Sequence, residues 1–599
     1  MTAAARVVPA VPTFSVDDGF WYSIPDSHLS RLQVGSIVRV PLGGRRVRGH
    51  VVELGERPPE RLKPITGVSG DLPVFGPQLR DALVWAAHHY LAPVSVMLER
   101  AAPPNLPTQP TEIHHSRRDT PTGQNPSPAK HPLDELTEAV LEGRRRPITA
   151  LLSPWEDVSW LEALTPIVGT ARSLLIVVAT ASEADMVARH ARRLVGENVI
   201  EISGDVDDAT TTERWSRAAS QPGHIVIGTP RVATWPVAGL AVAVVVEESR
   251  RAMKDRQTPT LAVRRLMMTR GRLERFSQVY VGPTPSLELL AAGAEVVRPG
   301  PRAWPLVEVV DRNEEPPGSG LVSARARTAI ARVLERDGTV FVFSHRRGYA
   351  PAYRCATCKE LRRCANCGSR PEPGEACTRC GAPSRPCLNC GGATFEPLGA
   401  GVGRVLHELK GLFGDRVGET NSKAPVGVGS ERDLASTTGV ELAIAVDVDG
   451  LALGSHFRAG EEALRILARL AGRVRRGRGN RLILQTSLPD QPLVTALRRG
   501  DPMEFLTHEM AERRALGYPP ASEIMVIEVR GGSANVDGDL RATGDDGMSI
   551  MGPAPTQGAD RWLVQGAALG GYKLALRPLV QRWRDQGATV RVDVDPLDL

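Results

Sequence analysis

The sequence predicts an α/β protein in which two lobes, each built on a parallel β-sheet, follow one another along the chain. The first observation is that short apolar runs alternate with helix-length segments across residues 132–300 and again across residues 318–500. The second is that these runs are apolar at every position, which indicates strands covered by helices on both faces of a sheet. The third is a cysteine-rich insertion, residues 353–393, within the second lobe.

The remaining length divides into smaller parts. Residues 1–105 are predicted to form a small β-rich domain, in which alternating apolar residues indicate strands at 36–41 and 50–54. Residues 106–131 are rich in proline, threonine and serine, as is typical of a linker. Residues 501–599 are predicted to form an α+β domain.

The turn between the two N-terminal strands is basic. It carries Arg45, Arg46 and Arg48 beside a pair of glycines. A basic hairpin tip can bind phosphate, so we predict a nucleic-acid contact here, with an ordinary solvated turn as the alternative.

The two lobes account for eight candidate strands. Those of the first lobe are 148–152, 174–179, 224–228, 242–246 and 279–282, and those of the second are 339–343, 441–447 and 481–486. In the last domain, a charged helix is predicted around 504–516 and an alternating strand begins at 589.

The net charge and the lengths of the apolar runs narrow the class of protein. A formal net charge of +6 is mildly basic and favours a polyanionic partner. No apolar run reaches the roughly 18 residues that a membrane span needs, and the first residues have no apolar core of signal-peptide length. We therefore expect a cytoplasmic protein without membrane partners.

All eight cysteines lie in four CxxC pairs. The pairs are Cys355/Cys358, Cys364/Cys367, Cys377/Cys380 and Cys387/Cys390. Two such pairs supply the four sulfurs of a closed structural zinc site, so four pairs predict two zinc ions. Nested and sequential pairings both remain open, since the spacing favours nesting only modestly. Four disulfides are the other alternative, but disulfide frameworks belong mainly to small secreted chains.

A nucleotide-binding loop is missing from the first lobe. A Walker A loop needs glycines, a lysine and a following serine or threonine. After the first predicted strand the chain has no glycine before Gly169, and no lysine lies between Lys130 and Lys254. At the end of the 242–246 strand, Glu247 and Glu248 resemble a degraded Walker B pair.

The second lobe contains a segment that is dense in arginine. A helix is predicted over 465–478, with leucines on one stripe for the core. Its arginines, together with the one just after it, are Arg465, Arg469, Arg473, Arg475, Arg476, Arg478 and Arg481. We predict that this helix faces phosphate, with a solvated charged face as the alternative.

Motifs of one bacterial protein family are spread along the chain, at 34–43, 85–90, 225–229, 282–285, 343–351, 447–450, 471–473, 593–596 and around the cysteines. They resemble the PriA family, the primosomal proteins N′ that restart stalled replication forks, and most of all its shortened actinobacterial members with decayed helicase motifs. The resemblance implies two RecA-like helicase lobes, here degenerate, and an N-terminal DNA-binding domain.

The resemblance also implies ligand sets and partners. One zinc would take Cys355, Cys358, Cys387 and Cys390, and the other would take Cys364, Cys367, Cys377 and Cys380. The partners would be forked or single-stranded DNA, the replicative helicase with its loading proteins, and single-stranded DNA-binding protein, whose C-terminal tail would contact Lys573 and Arg577. Arg469, Arg473 and Arg476 match part of the family's arginine motif and are predicted to bind DNA.

The sequence also departs from the family pattern at several places. A winged-helix domain is absent between residues 105 and 132, and Phe20-Trp21-Tyr22 stands where the family has Phe-Asp-Tyr. With the Walker A loop also missing, we predict a nucleoid-associated replication restart protein that recognises stalled forks and helps reload the replicative helicase without ATP hydrolysis. The alternatives are an active ATP-dependent 3′–5′ helicase with divergent motifs and a zinc-ribbon nucleic-acid adaptor.

Overall fold

A computed structural model describes residues 2–58, 62–110, 131–146, 148–204, 206–300, 302, 304–316, 318–345, 352–377, 380–398, 401–420, 422–437, 439–454, 456–556 and 558–598. Most of the predicted linker lies outside the described residues. The chain forms two compact units, the first comprising Met1–Pro299 with Gly517–Leu597 and the second Gly300–Leu516 with Asp598–Leu599. The charged helix near residue 504, which the sequence analysis assigns to the C-terminal domain, belongs to the second unit.

The N-terminal part of the first unit is a five-stranded antiparallel sheet with two helices. The strands are β1 (Thr2–Pro9), β2 (Phe20–Ser23), β3 (Ile37–Leu42), β4 (Arg45–Arg57) and β5 (Gly67–Ser69), and the helices are α1 (Pro77–His89) and α2 (Val94–Glu99). The strand order is β2-β1-β4-β3-β5. Gly43 and Gly44, both with positive φ, form the two-residue turn between β3 and β4, so the arginines lie in the strand rather than in the turn.

The first lobe has a seven-stranded sheet whose neighbouring strands are all parallel. Its strands are β6 (Ile148–Leu152), β7 (Ser173–Val177), β8 (Val199–Ile202), β9 (Ile225–Gly228), β10 (Leu240–Val246), β11 (Ser277–Gly282) and β12 (Glu295–Val297). Its helices are α3 (Asp134–Leu141), α4 (Ser159–Leu164), α5 (Ala181–Val195), α6 (Asp208–Ser220), α7 (Val263–Glu274) and α8 (Leu287–Ala291). The order is β12-β6-β11-β10-β7-β9-β8. The five predicted strands are confirmed; the sequence missed only β8 and β12, which are short and lie at the two edges.

The second unit contains the second parallel sheet, of order β13-β20-β19-β14-β18-β17. The strands of this unit are β13 (Val307–Asp311), β14 (Val340–Phe343), β15 (Ala352–Cys355), β16 (Phe395–Leu398), β17 (Val417–Glu419), β18 (Val426–Gly429), β19 (Leu442–Ala445) and β20 (Arg481–Thr486). Its helices are α9 (Ala324–Leu334), α10 (Val402–Phe413), α11 (Val448–Ala452), α12 (Ala459–Gly472), α13 (Pro492–Arg499) and α14 (Met503–Ala515). The antiparallel pair β15–β16 forms the base of the cysteine-rich insertion.

The C-terminal part of the first unit is an α+β domain, as predicted. Its strands are β21 (Glu523–Arg530), β22 (Met548–Thr556), β23 (Ala559–Gly566) and β24 (Thr589–Val594), and its helices are α15 (Val536–Thr543) and α16 (Gly570–Asp585). The antiparallel strand order is β22-β23-β21-β24. Among the described residues, no helix is both long and apolar enough to cross a membrane.

A buried polar cluster joins the three parts of the first unit. The ammonium of Lys573, only 1% exposed, donates to Glu523 Oε2 at 2.8 Å and lies 3.4 Å from His89 Nδ1. His89 Nε2 is 3.0 Å from Asp595 Oδ2, and Arg265 Nη2 is 3.1 Å from Glu523. Burial alone would raise the pKa of Asp595, but the hydrogen bond with His89 and the nearby cations hold it well below its usual range. These residues come from α1, α7, β21, α16 and the end of β24, so they fix these elements to one another.

The buried His50 should make the stability of this unit depend on pH. Burial, with a smaller contribution from Arg48, lowers the pKa of His50 to about 3. Below pH 6.5 the unfolded chain binds a proton at this residue and the folded chain does not. Stability is therefore present above pH 6.5 and lost as the pH falls towards 3, by at most roughly 1.4 kcal/mol per pH unit. In urea unfolding between pH 6.5 and 4.5, His50→Leu should lose stability less steeply than the wild type.

The control for this experiment is His508→Leu, which removes an exposed histidine. This variant should keep the wild-type pH dependence. Equal slopes for His50→Leu and the wild type would contradict the assignment of the effect to His50.

Candidate metal centres and nucleic-acid interface

The four CxxC segments share one backbone conformation. In each, the N–H of the first cysteine donates to the carbonyl five residues later, at 2.8–2.9 Å, and the N–H four residues later donates back to the cysteine carbonyl, at 2.7–3.0 Å. The fourth position after the first cysteine has a positive φ of 61° to 73° and is held by Lys359, Gly368, Gly381 and Gly391. Glycine adopts this conformation without a steric cost, which explains its presence in three of the four turns.

The sulfur positions confirm the nested pairing of the CxxC segments. Cys355, Cys358, Cys387 and Cys390 form one cluster, and Cys364, Cys367, Cys377 and Cys380 form the other. The closest sulfur pairs within the clusters are 3.4–3.6 Å apart. This is too long for a disulfide, whose bond is about 2.05 Å, and close to the edge of about 3.8 Å that a tetrahedron with metal–sulfur distances of about 2.3 Å would have.

Hydrogen bonds favour the thiolate form that binds metal at three of the cysteines, whereas, despite bonds to backbone N–H groups, burial and neighbouring sulfurs raise the pKa of Cys380 to about 11 and that of Cys390 to about 12. The backbone N–H of Cys358 is the main cause that lowers the pKa of Cys355 to about 6. The pKa of Cys358 is lowered by the N–H of Glu360, and that of Cys367 by the hydroxyl and N–H of Ser369. Each cluster can therefore hold a metal ion, and its donor set is consistent with zinc.

Arg362 links the two clusters and was missed by the sequence analysis. Its buried guanidinium donates to the carbonyls of Pro371 at 3.2 Å and Arg385 at 2.7 Å and to Ser384 Oγ at 2.7 Å. It also lies 4.5 Å from the centre of the Phe395 ring, on β16. One side chain thus connects the β15–β16 hairpin to the loops of the cluster formed by Cys364, Cys367, Cys377 and Cys380. A charged residue between cysteine pairs gives no sequence signal for such a role.

In the first lobe, a tryptophan follows the strand after which a nucleotide-binding loop would stand. Trp155 is 1% exposed, and its carbonyl accepts a hydrogen bond of 3.0 Å from Trp160 Nε1. The cavity at the adjoining ends of β6, β10 and β11 measures about 10 Å³, roughly the space of one water molecule. The apolar side chain of Trp155 is packed in the core of the lobe.

Each of the two carboxylates after β10 pairs with an arginine that also contacts a second acid, Glu183 or Glu288. Glu247, with φ of +47°, pairs with Arg250 at 3.1 Å, and Glu248 pairs with Arg264 at 2.8 Å. The N–H of Ser286 also donates to Glu248 at 3.0 Å. Burial raises the pKa of Glu248 despite these contacts. Side chains of the lobe itself therefore supply the positive charge that these acids require.

The arginine-rich helix does not present its arginines on the exposed face that the sequence predicted. Helix α12 ends at Gly472 rather than at residue 478, and Arg465 and Arg469 are buried against Glu431, at 2.7 and 3.4 Å. The expectation of an exposed arginine face is wrong for these residues and for Arg473, which is 8% exposed. The long apolar stems and the acidic partner draw the guanidiniums inward. Arg476 is exposed and, among the described residues, has no ion pair.

The two cations predicted to bind a partner's carboxylate already have carboxylate partners. Lys573 is buried against Glu523, as described above, and Arg577 pairs with Asp17 while lying 5.2 Å from the centre of the Phe14 ring. The expectation that they form an open carboxylate site is wrong for this arrangement. Both partners are distant in the sequence, so no local pattern could indicate the pairing.

The basic hairpin of the N-terminal domain is open to solvent. Arg45 and Arg46 are exposed and Arg48 is half-buried. In the described part of the chain, none of the three has an ion-pair partner. The hairpin that carries these arginines is therefore accessible, and their contact with nucleic acid stays a prediction.

Two family models match the ends of the chain. Residues 6–103 match the 3′ DNA-binding domain of PriA, and residues 514–597 match the C-terminal domain of primosomal protein N. The second match begins close to Leu516, where the second unit ends.

Curated relatives cover most of the chain. The probable replication restart protein PriA of Mycobacterium tuberculosis is 26% identical over 86% of this chain and 85% of its own length. The M. leprae protein of that name is 26% identical over 74% and 76%. The replication restart protein PriA of Haemophilus influenzae is 24% identical over 99% of both chains.

Two solved structures with low overall similarity are a DEAD box protein from Methanococcus jannaschii and RecG bound to a three-way DNA junction. The first has a TM-score of 0.30 and 11% identity, covering 64% of this chain and 90% of its own. The second has a TM-score of 0.34 and 11% identity, covering 65% and 50%.

The fold and these sites define a multidomain α/β protein with an N-terminal domain that matches a DNA-binding family model, two lobes built on parallel sheets and a paired four-cysteine centre. The two terminal family domains and the relatives that span the region between them show that the chain is similar to the PriA replication restart proteins.

The buried indole of Trp155 should be a major source of stability in the first lobe. Trp155→Ala removes a side chain packed in the core and should lower the free energy of unfolding by about 3–5 kcal/mol in urea titrations. Trp155→Phe keeps most of the apolar volume and should cost clearly less. A loss below about 1 kcal/mol for the alanine variant would contradict the packing described for this turn.

Proposed function

We propose that this protein is a replication restart protein that binds forked DNA and helps reload the replicative helicase without hydrolysing ATP. The observation that carries the second part is the pairing of Glu247 and Glu248 with Arg250 and Arg264, together with the burial of Trp155 after β6. The matched 3′ DNA-binding domain and the relatives named PriA support the first part.

Phosphoryl transfer requires positive charge directed at the phosphates of the nucleotide. In this lobe Arg250 and Arg264 pair with the lobe's own carboxylates. In P-loop enzymes a lysine and a magnesium ion neutralise the phosphates, and an acid after a central strand holds the ion. Here Glu248 is already bound to Arg264 and to the N–H of Ser286. A magnesium ion at Glu248 would have to displace the half-buried Arg264 from this carboxylate.

Recognition of DNA would depend mainly on its phosphates. The protein carries a net charge of +6, and the exposed Arg46 and Arg476 offer guanidiniums without ion-pair partners among the described residues. Such contacts are sensitive to salt and carry little sequence information. In this role the protein acts in the cytoplasm on the nucleoid, with single-stranded DNA-binding protein and the replicative helicase with its loading proteins as partners.

An ATPase assay with forked DNA tests the non-motor assignment. The wild-type chain should show no turnover above background, with or without DNA. DNA-stimulated turnover that Glu247→Gln abolishes would instead establish the second candidate, an active helicase with divergent motifs. That candidate is favoured only by the retention of the acidic pair after β10.

Binding assays separate fork recognition from a general adaptor function. The full chain should bind a forked DNA more tightly than a plain duplex of equal length at the same salt concentration. Equal affinity for the two DNAs would contradict fork recognition and favour a zinc-ribbon nucleic-acid adaptor.

We further propose that each cysteine cluster holds one zinc ion in a structural role. Metal analysis of the purified protein should find two equivalents of zinc per chain. Because the clusters are nested and separate, Cys364→Ser should remove about one equivalent and Cys355→Ser the other. One equivalent or none in the wild type, or loss of both ions from the Cys364→Ser variant, would contradict two independent sites.

A further inference from the structure

Strand alternation divides the basic hairpin into two faces. In the register of β3 and β4, Arg39 lies directly opposite Arg48, and Pro41 lies opposite Arg46. Since side chains alternate between the faces of a strand, Arg39, Arg46 and Arg48 share one face, while Arg45 points to the other. The three residues Arg39, Arg46 and Arg48 are called the arginine face below.

The arginine face has no counter-charge from the described part of the chain, and Arg45 shares this property. Like charges directly opposite one another in a sheet are destabilising. Among the residues that the structure describes, none of the three arginines forms an ion pair or a side-chain hydrogen bond. In contrast, carboxylates of the chain pair with Arg6, Arg31, Arg80 and Arg100.

The surroundings of the arginine face are open. Arg39 and Arg46 are exposed, and Arg48 is half-buried. Next to Arg39 on β5 lies Gly67, and a Cβ at that position would meet no atom within 4 Å. His50 follows on the same face of β4 but is buried, and its low pKa keeps it neutral. The positive charge of this face therefore comes from guanidiniums that a ligand can reach.

We propose that the arginine face binds successive phosphates of one DNA strand, an inference that rests on the proposed DNA-binding function. Arg46 and Arg48 are two residues apart on one strand, roughly 6.8 Å, so their forks can reach separate phosphates. Arg39 and Arg48 face each other across the sheet and can hold one phosphate between them, which removes their mutual repulsion. Phosphate contacts position the DNA and do not read its sequence.

The sequence grouped Arg45, Arg46 and Arg48 because they are neighbours in the chain. The register replaces Arg45 with Arg39, which lies on the preceding strand directly opposite Arg48.

The test measures the affinity of the full-length chain for a fluorescent forked DNA over a series of salt concentrations. Each lost phosphate contact lowers the slope of log K against log salt by about 0.9 on duplex DNA and about 0.7 on single strands. The double variant Arg39→Gln/Arg48→Gln removes the phosphate contact that this pair shares, so it should lose about 0.7 to 0.9 in slope and bind more weakly. Arg45→Gln, on the opposite face of the same hairpin, should leave the slope unchanged.

Thermal unfolding without DNA provides an independent readout. Because the double variant removes like-charge repulsion, its Tm should equal or exceed that of the wild type. A lower Tm, or equal loss of slope in the Arg45→Gln variant, would overturn the proposal. An unchanged slope in the double variant would overturn it and leave the DNA-binding function intact, whereas a wild-type chain that does not bind forked DNA would overturn both.

Discussion

The buried cluster around Lys573 holds the first unit together. An ammonium group buried in protein is stable only with close partners, and here Glu523 and His89 supply them. His89 in turn reaches Asp595 at the end of β24. These contacts join the N-terminal domain, the first lobe and the C-terminal domain, so the basic hairpin is carried on a single compact body. Removing one member would leave another charge buried without compensation, which makes the arrangement mutually dependent.

A second set of buried charges follows the central strand of the first lobe. In a motor, the acids after this strand are balanced by a metal ion that comes and goes with the nucleotide. In this lobe Glu247 and Glu248 pair with Arg250 and Arg264, and Trp155 is packed in the core of the same lobe. The lobe can therefore serve as a scaffold for the domains attached to it.

The sequence was sufficient where the signal is local. The CxxC spacing indicated two four-cysteine centres, and the absence of glycine and lysine after β6 indicated a missing nucleotide loop. It was insufficient where a residue's role depends on a partner distant in the chain. Arg469 is buried by Glu431 and Lys573 by Glu523, and neither acid stands near its cation in the sequence. Arg39 joins the arginine face only through strand register.

We propose that DNA binding in this protein is independent of nucleotide. The most direct test is the Kd of the full-length chain for forked DNA, measured with and without millimolar ATP at constant free Mg²⁺ and constant ionic strength. A ligand changes the affinity for another only when the two are coupled, and the coupling is reciprocal. We predict the same Kd in both conditions. A tenfold change, about 1.4 kcal/mol, would show that nucleotide binds and is coupled to the DNA site, and would contradict the account.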